Sequence, residues 1–191
     1  VPVTRDAVVV KARGARQYWL MQSGKRVRMS TTIYDGSPLG KLLTRELDPQ
    51  SISAIAAAPT MTGLFTGPSE VTYALTATGL TPIQDPTVFQ GRRSTLSTGV
   101  MNKLTMEAPY AGPVVFARAP GKSTVSAVSA NRSRTISSWD DLVRISGSQS
   151  PRILEVPQYT LSTAKAKGQA LTPGTLVKSS ASPDVFLVDG L

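Results

Sequence analysis

A pattern that returns about every fifty residues constrains this chain more than any other feature. Tyr18-Trp-Leu-Met-Gln-Ser-Gly24 leads into Lys25-Arg-Val-Arg-Met-Ser30. Tyr73-Ala-Leu-Thr-Ala-Thr-Gly79 leads into Leu80-Thr-Pro-Ile-Gln-Asp85, and Val125-Ser-Ala-Val-Ser-Ala-Asn131 into Arg132-Ser-Arg-Thr-Ile-Ser137. A fourth copy, Asp184-Val-Phe-Leu-Val-Asp-Gly190, has no room for a return strand. The turn positions Gly24, Gly79, Asn131 and Gly190 are spaced by 55, 52 and 59 residues. Gly and Asn are the residues that tolerate positive φ, which a tight hairpin turn requires. Internal repetition at such a period marks a repeat architecture.

Two further markers keep the same period. Ala58-Pro59, Ala108-Pro109 and Val156-Pro157 follow the apolar pieces 52–57, 104–107 and 153–155. Strand-like starts occur at Val8-Val-Val-Lys-Ala-Arg13, Val114-Val-Phe-Ala-Arg118 and Thr175-Leu-Val-Lys-Ser179, with a weaker version at Leu64-Phe-Thr66. Each unit therefore reads as a strand, a two-stranded hairpin, a short helix and a final strand. The expected units span 1–63, 64–112 and 113–174, with a truncated fourth at 175–191. Helices are expected at 38–47, 87–104 and 138–145. Ser137 or Ser138 is the expected cap of the third, Asp140 and Asp141 lie in its first turn, and Gly147 is its stop. Asp85-Pro86 resembles a capped helix start. The fold class is mainly β with short helices: a tandem array of hairpin–helix–strand units, open or propeller-like. Three complete units are too few for an ordinary closed propeller of at least about four blades. A single unit has too little apolar surface to stand alone, so the units are expected to pack on each other.

The pattern resembles a tandem repeat of secreted bacterial proteins, especially actinobacterial surface and wall-hydrolase-associated proteins. The residues that carry the resemblance are Pro173-Gly-Thr-Leu-Val-Lys-Ser-Ser-Ala-Ser-Pro-Asp-Val-Phe-Leu-Val-Asp-Gly190, Thr81-Pro-Ile-Gln-Asp-Pro-Thr-Val-Phe89 and Arg134-Thr-Ile-Ser-Ser-Trp139. It covers nearly the whole chain, and the first unit, with Gly36, Pro38 and Gly40, departs most. It implies an extracellular, non-catalytic module and supplies no ligand.

Residue types narrow the chemistry. With no His and no Cys, the chain has no Ser-His-Asp or Cys-His nucleophile, no imidazole or thiolate metal site and no disulfide. No cofactor or metal is expected. No apolar run is long enough to span a membrane. Lys and Arg number 21 against 12 Asp and Glu, a net charge of +9, and much of that excess is near the start. Arg5, Lys11, Arg13, Arg16, Lys25, Arg26 and Arg28 stand against Asp6 alone. On strands, Lys11 and Arg13 share one face, and so do Arg26 and Arg28. Lys11, Arg13, Arg16, Lys25, Arg26 and Arg28 are therefore the candidate polyanion-binding residues, as a cationic stripe across adjacent strands. The alternative is a solvated sheet face whose charges block edge-to-edge pairing.

Tyr18, Trp19 and Tyr73 are candidate sugar-stacking aromatics. Their competing role is to fill the core between units. Asp140 and Asp141 are adjacent on a helix and point apart, so they suit capping rather than paired acid–base work. The many hydroxyls have no base beside them, and 36–40 lacks the Lys-Ser/Thr of a phosphate loop.

The expected function is a non-enzymatic extracellular or cell-surface module that binds an anionic wall polymer or glycan, or assembles with other protein subunits. The alternatives are a structural virion or appendage protein, such as a phage tail component, and nucleic-acid binding through the basic N-terminal strands. Nucleic acid rests on charge alone. Both ends read as cuts through a longer protein. Val185-Phe-Leu-Val188 is apolar on both faces, so it is expected to be buried on both and to pair with 175–178, a partner chain or a later segment.

Overall fold

A computed structural model describes residues 5–67, 69–178, 180 and 184–189. Gly190, the fourth turn position, lies outside the described residues, as do Ser179 and Leu191. The fold is mainly β, with several sheets and none closed on itself among the described residues.

The first sheet is built on a meander of β1 (Val8–Ala12), β2 (Tyr18–Gln22) and β3 (Lys25–Met29). The β2–β3 turn is Ser23-Gly24, with φ of 48° and 71°, and Gln22 pairs with Lys25 across it. Two consecutive positive φ values make this the tight hairpin turn whose twist matches its strands. The chain then passes through α1 (Thr31–Asp35), capped by the Ser30 hydroxyl, and a single 3-10 turn at Pro38–Lys41. It returns as β4 (Thr44–Leu47), parallel to β1. After α2 (Pro49–Ser53), β5 (Ala57–Ala58) lies parallel to β3, giving the order β4-β1-β2-β3-β5.

A second sheet contains β6 (Leu64–Thr66), β7 (Thr72–Leu75), β8 (Leu80–Ile83) and β9 (Ser94–Thr95) in the order β8-β7-β6-β9, with β9 parallel to β6. After α3 (Thr98–Met101), isolated parallel bridges join Leu80 to Met106 and Ile83 to Tyr110.

The third sheet has β10 (Val115–Arg118), β11 (Ser126–Ser129) and β12 (Arg132–Thr135), followed by α4 (Trp139–Ser146), β13 (Leu154–Glu155), α5 (Gln158–Ser162) and β14 (Lys165–Gln169). Its order, β13-β10-β11-β12-β14, has the same scheme as the first sheet: a meander flanked by two parallel strands. Its turn is Ala130-Asn131, with φ of 45° and 58°. A last hairpin pairs β15 (Leu176–Lys178) with β16 (Val185–Leu187).

Several expectations are corrected. The helix expected at 38–47 is one 3-10 turn followed by β4, because pairing with β1 outweighs local preference. Of the helix expected at 87–104 only Thr98–Met101 is α-helical. The Asp85-Pro86 start is a turn in which Asp85 accepts from the Thr87 N–H and hydroxyl. The apolar piece 52–57 begins inside α2, where Asp48 caps and Pro49 opens the helix. The third helix is as expected: Ser138 accepts from the Asp141 N–H, and Gly147 ends it at φ 65°. Finally, β16 pairs with β15, but Val185, Phe186 and Leu187 are each more than half exposed, so the expected two-sided burial fails.

Cross-strand register shows how the sheets stack, since paired residues share a face. Val9, Leu20 and Val27 form one row of the first sheet and pack in one cluster with Phe65, Leu75 and Leu80 of the second. The opposite face of the second sheet presents Leu64, Ala74 and Ile83 to Val115, Ala117 and Val128 of the third. The second sheet is thus the middle layer and is apolar on both faces. Helix α2 puts Ile52 on the outer face of the first sheet, against Val10 and Met21. Helix α4 puts Leu142 on the outer face of the third, against Phe116 and Ala127.

A carboxylate network ties the β7–β8 loop to the chain around 107. Glu107 accepts from the hydroxyls of Thr76 (2.7 Å), Thr78 and Thr81, and Arg152 lies 3.6 Å from it. Burial pulls its pKa up, but the three hydroxyls and Arg152 outweigh this, and the net shift is below the ordinary 4.5. A carboxylate with a depressed folded pKa adds stability that is complete above its unfolded value and fades as pH falls through the folded one. Urea unfolding of Glu107→Gln between pH 7 and pH 3 is therefore expected to show a shallower loss of stability on acidification than the parent. Parallel curves would show that the network does not titrate as described.

Candidate functional site

Of the six cations expected to form one stripe, four are divided between two faces of the sheet and two lie off its strands. Lys11 pairs with Tyr18, and Tyr18 with Met29, in an inward row. The Lys11 ammonium lies 2.9 Å from Glu46, and the hydrogen bond and charge of Glu46 raise its pKa. Lys25, opposite Gln22, is on this same face. Arg26 and Arg28 pair with Met21 and Trp19 and lie on the other face. Arg13 and Arg16 are in the β1–β2 connection, not on a strand. Sequence alternation predicts facing within one strand, but strand ends and register decide which rows meet.

The aromatics divide as well. Tyr18 stacks on Tyr34 with ring centroids 3.7 Å apart and planes 6° from parallel, and both pack on the inner core. Tyr73 packs on that core too. Both are partly buried and contribute to the core between the sheets. Trp19 is different. It is half-buried on the outer face, with one side against the Val10–Met21–Ile52 cluster.

The outer face thus joins three candidates in one groove of about 460 Å³, lined by Gln17, Trp19, Arg26, Arg28 and the stretch of Ala57, Ala58 and Thr60. The Arg26 guanidinium carbon is 6.0 Å from the Trp19 ring centroid, at the limit of a cation–π contact. The Arg26 Nε is buried without a hydrogen-bond partner. Gln17 donates to the carbonyls of Tyr18 and Met29, at 3.2 Å each, and accepts from the Arg28 Nε at 2.8 Å. A side chain anchored to two strands therefore tethers the Arg28 guanidinium beside the groove. Among the described residues no carboxylate lines it. Arg45, opposite Val10, adds a further cation to this face. A planar ring between guanidinium groups suits a ligand with both sugar faces and negative charge.

Sequence reasoning missed Gln17 and Arg45. Gln17 precedes β2 in an unremarkable loop, and its role depends on bridging two backbone carbonyls. Arg45 falls in the stretch expected to be helical. Among the described residues, no three His, Cys, Asp or Glu side chains gather in a way that could hold a metal ion, and no helix is long and apolar enough to cross a membrane.

No protein-family model matches the chain, and no curated protein matches it. Among solved structures it is similar to one described as the periplasmic assembly from the ESX-5 inner membrane complex. The identity is 11%, over 95% of this chain and 72% of that chain, with a TM-score of 0.25. At that score the likeness carries no argument.

Proposed function

We propose that this chain is a non-enzymatic, extracellular or cell-surface repeat module that binds an anionic glycan or wall polymer through the outer face of its first sheet. The observation that carries the reading is the meeting of Trp19, Arg26 and Arg28 in one groove free of carboxylates. The repeat reading is supported by the shared strand order of the first and third sheets and by the two hairpin turns with paired positive φ. A propeller-like ring is not needed for either.

The test is sedimentation with purified bacterial cell walls, before and after chemical removal of their anionic polymers. Trp19→Ala and Arg28→Ala are each expected to weaken binding roughly tenfold, the scale of a lost stacking face or charge-assisted hydrogen bond. Binding to intact walls is expected to fall with added salt, since the groove is solvent-exposed. Equal binding by the variants, or to stripped walls, would overturn the reading. A nucleic-acid or virion role would survive that result, with duplex DNA and particle assembly as its assays.

Assembly with other protein subunits is a second reading with its own support. The hairpin of β15 and β16 exposes Leu176, Val185, Phe186 and Leu187 together, each more than half accessible. Clustered exposed apolar side chains of this kind mark interaction surfaces.

A further inference from the structure

We propose that a cavity between the first and second sheets is a separate binding site for a phosphate group carried on a small polyol body. It does not depend on the outer-face groove: it lies on the opposite face of the first sheet and holds or fails on its own. The cavity measures about 360 Å³ and is lined by Gln22, Ser23, Lys25 and Val27 from the first sheet, Ala58 and Pro59 beside them, and Arg92, Arg93, Ser94, Thr95 and Ser97 from the segment around β9. That is the small end of ligand-site volumes, suited to one sugar- or glycerol-sized unit.

Charge and donors point to phosphate. Among the described residues three cations, Lys25, Arg92 and Arg93, line the cavity, and no carboxylate does. Among the described residues neither Lys25 nor Arg92 has an ion pair or side-chain hydrogen bond. Arg93 is anchored through Nη2, which donates to the carbonyls of Pro86 (3.1 Å) and Phe89 (3.3 Å). Its Nε is buried without a partner. A guanidinium held at one end with donors in surplus is what a tetrahedral oxyanion uses. The hydroxyls of Ser23 and Thr95 provide matching groups for a polyol, while the Ser94 hydroxyl accepts from the Thr62 N–H at 3.0 Å.

The walls are fixed in place before any ligand arrives. The Gln22 amide donates to the Thr95 carbonyl at 2.8 Å, and its oxygen accepts from the Ser97 N–H at 3.1 Å. Asp6, which lies outside the lining, accepts from the Ser23 N–H at 2.7 Å and from the Ser97 hydroxyl at 2.6 Å. Both oxygens of that carboxylate are therefore occupied in joining the β2–β3 turn to the start of α3. These four bonds join the two segments that carry Lys25 and the arginines, while the exposed Lys25 and Arg92 side chains are ordered only on binding.

The experiment is calorimetric titration of the full chain with glycerol 3-phosphate, a short glycerol phosphate polymer, glycerol and acetate, with amide NMR shifts recorded alongside. Saturable binding of at least one phosphate compound is expected, with shifts at Ser23–Lys25 and Ser94–Ser97, and none with glycerol or acetate. Lys25→Ala/Arg92→Ala is expected to lose at least tenfold in affinity, roughly one charge-assisted hydrogen bond. Arg144→Ala removes a charge from α4, far from the cleft lining, and is expected to bind as the parent does. Response to the free compound assigns a small-molecule source, and response to the polymer alone assigns a wall-type source. Failure to bind either phosphate compound, equal binding of acetate, or equal losses in the Lys25/Arg92 and Arg144 variants would overturn the proposal. The double variant's amide spectrum outside the cleft shows whether it is folded.

Discussion

Replacing Phe65 with Ala is expected to lower the unfolding free energy by about 3–5 kcal/mol, the range for truncating a fully buried Phe. Phe65 is completely buried at the centre of β6 and packs in the cluster shared by the first and second sheets. Its neighbours there include Leu20, Leu75 and Leu80, all inaccessible to solvent, so the space cannot be filled by solvent-side rearrangement. A domain of this size has a total stability of about 5–15 kcal/mol, so the variant is expected to be close to unfolding at 37 °C. Phe186→Ala removes the same side chain from a half-exposed position in β16 and is expected to change stability by no more than about 0.5 kcal/mol. Urea denaturation of both variants measures the contrast. Similar losses would mean that the middle layer is not the centre of the core.

Gly79→Ala is expected to destabilise the protein by about 3 kcal/mol, at the upper end for overpacking a tight site. A Cβ at this position would stand 2.2 Å from the Thr105 carbonyl oxygen. That oxygen also accepts from the Leu80 N–H at 2.9 Å, so it cannot retreat without breaking the pairing beside β8. The Glu107 side chain lies 3.3 Å from the same Cβ, so its network with the three threonines would be displaced too. Gly24 gives the opposite case. Its φ is 71°, and a Cβ there would meet nothing within 4 Å, so only conformation matters. Gly24→Asn is expected to be nearly neutral, since Asn tolerates that conformation. Gly79→Asn is expected to be as damaging as Gly79→Ala. Thermal unfolding of these three variants separates the two causes, and a tolerated Gly79→Asn would show that the approach of 105 to β8 is not required.

These two glycines also show what the sequence can and cannot disclose. Gly24 and Asn131 were legible because a two-residue hairpin turn demands positive φ, and few residues accept it. Gly79, read from the sequence as an equivalent turn position, has no positive φ and is glycine for a different reason, close approach of a segment 26 residues away, which no local pattern encodes. Ser138 and Gly147 were legible as caps because capping is a local hydrogen-bond problem. Thr44–Leu47 was not legible as a strand, because its structure comes from lying beside β1. A local signal for α2 was present in Asp48-Pro49, a cap followed by proline at the first helical position.

The candidate sites follow the same division. Alternation along β3 correctly put Arg26 and Arg28 on one face, and the pairing with Trp19 was within reach once a hairpin about Gly24 was accepted. Separation of Lys11 and Lys25 from that face also follows from the hairpin register. Arg92 and Arg93 were out of reach. They precede β9 in a stretch expected to be helical, and they meet Lys25 only because Gln22 and Asp6 join two sheets.

The middle sheet, enclosed by its neighbours, also determines where this chain can vary over time. Leu64 and Phe65 of β6 face opposite layers and both are buried, so substitutions there are rarely silent, and homologues are expected to drift least between 64 and 83. Among the described residues, the first and third sheets each have an outer face packed against one short helix and a few loop and strand-end residues. Change can accumulate on those faces without disturbing the packing, and new ligand preferences can arise there while the fold is kept.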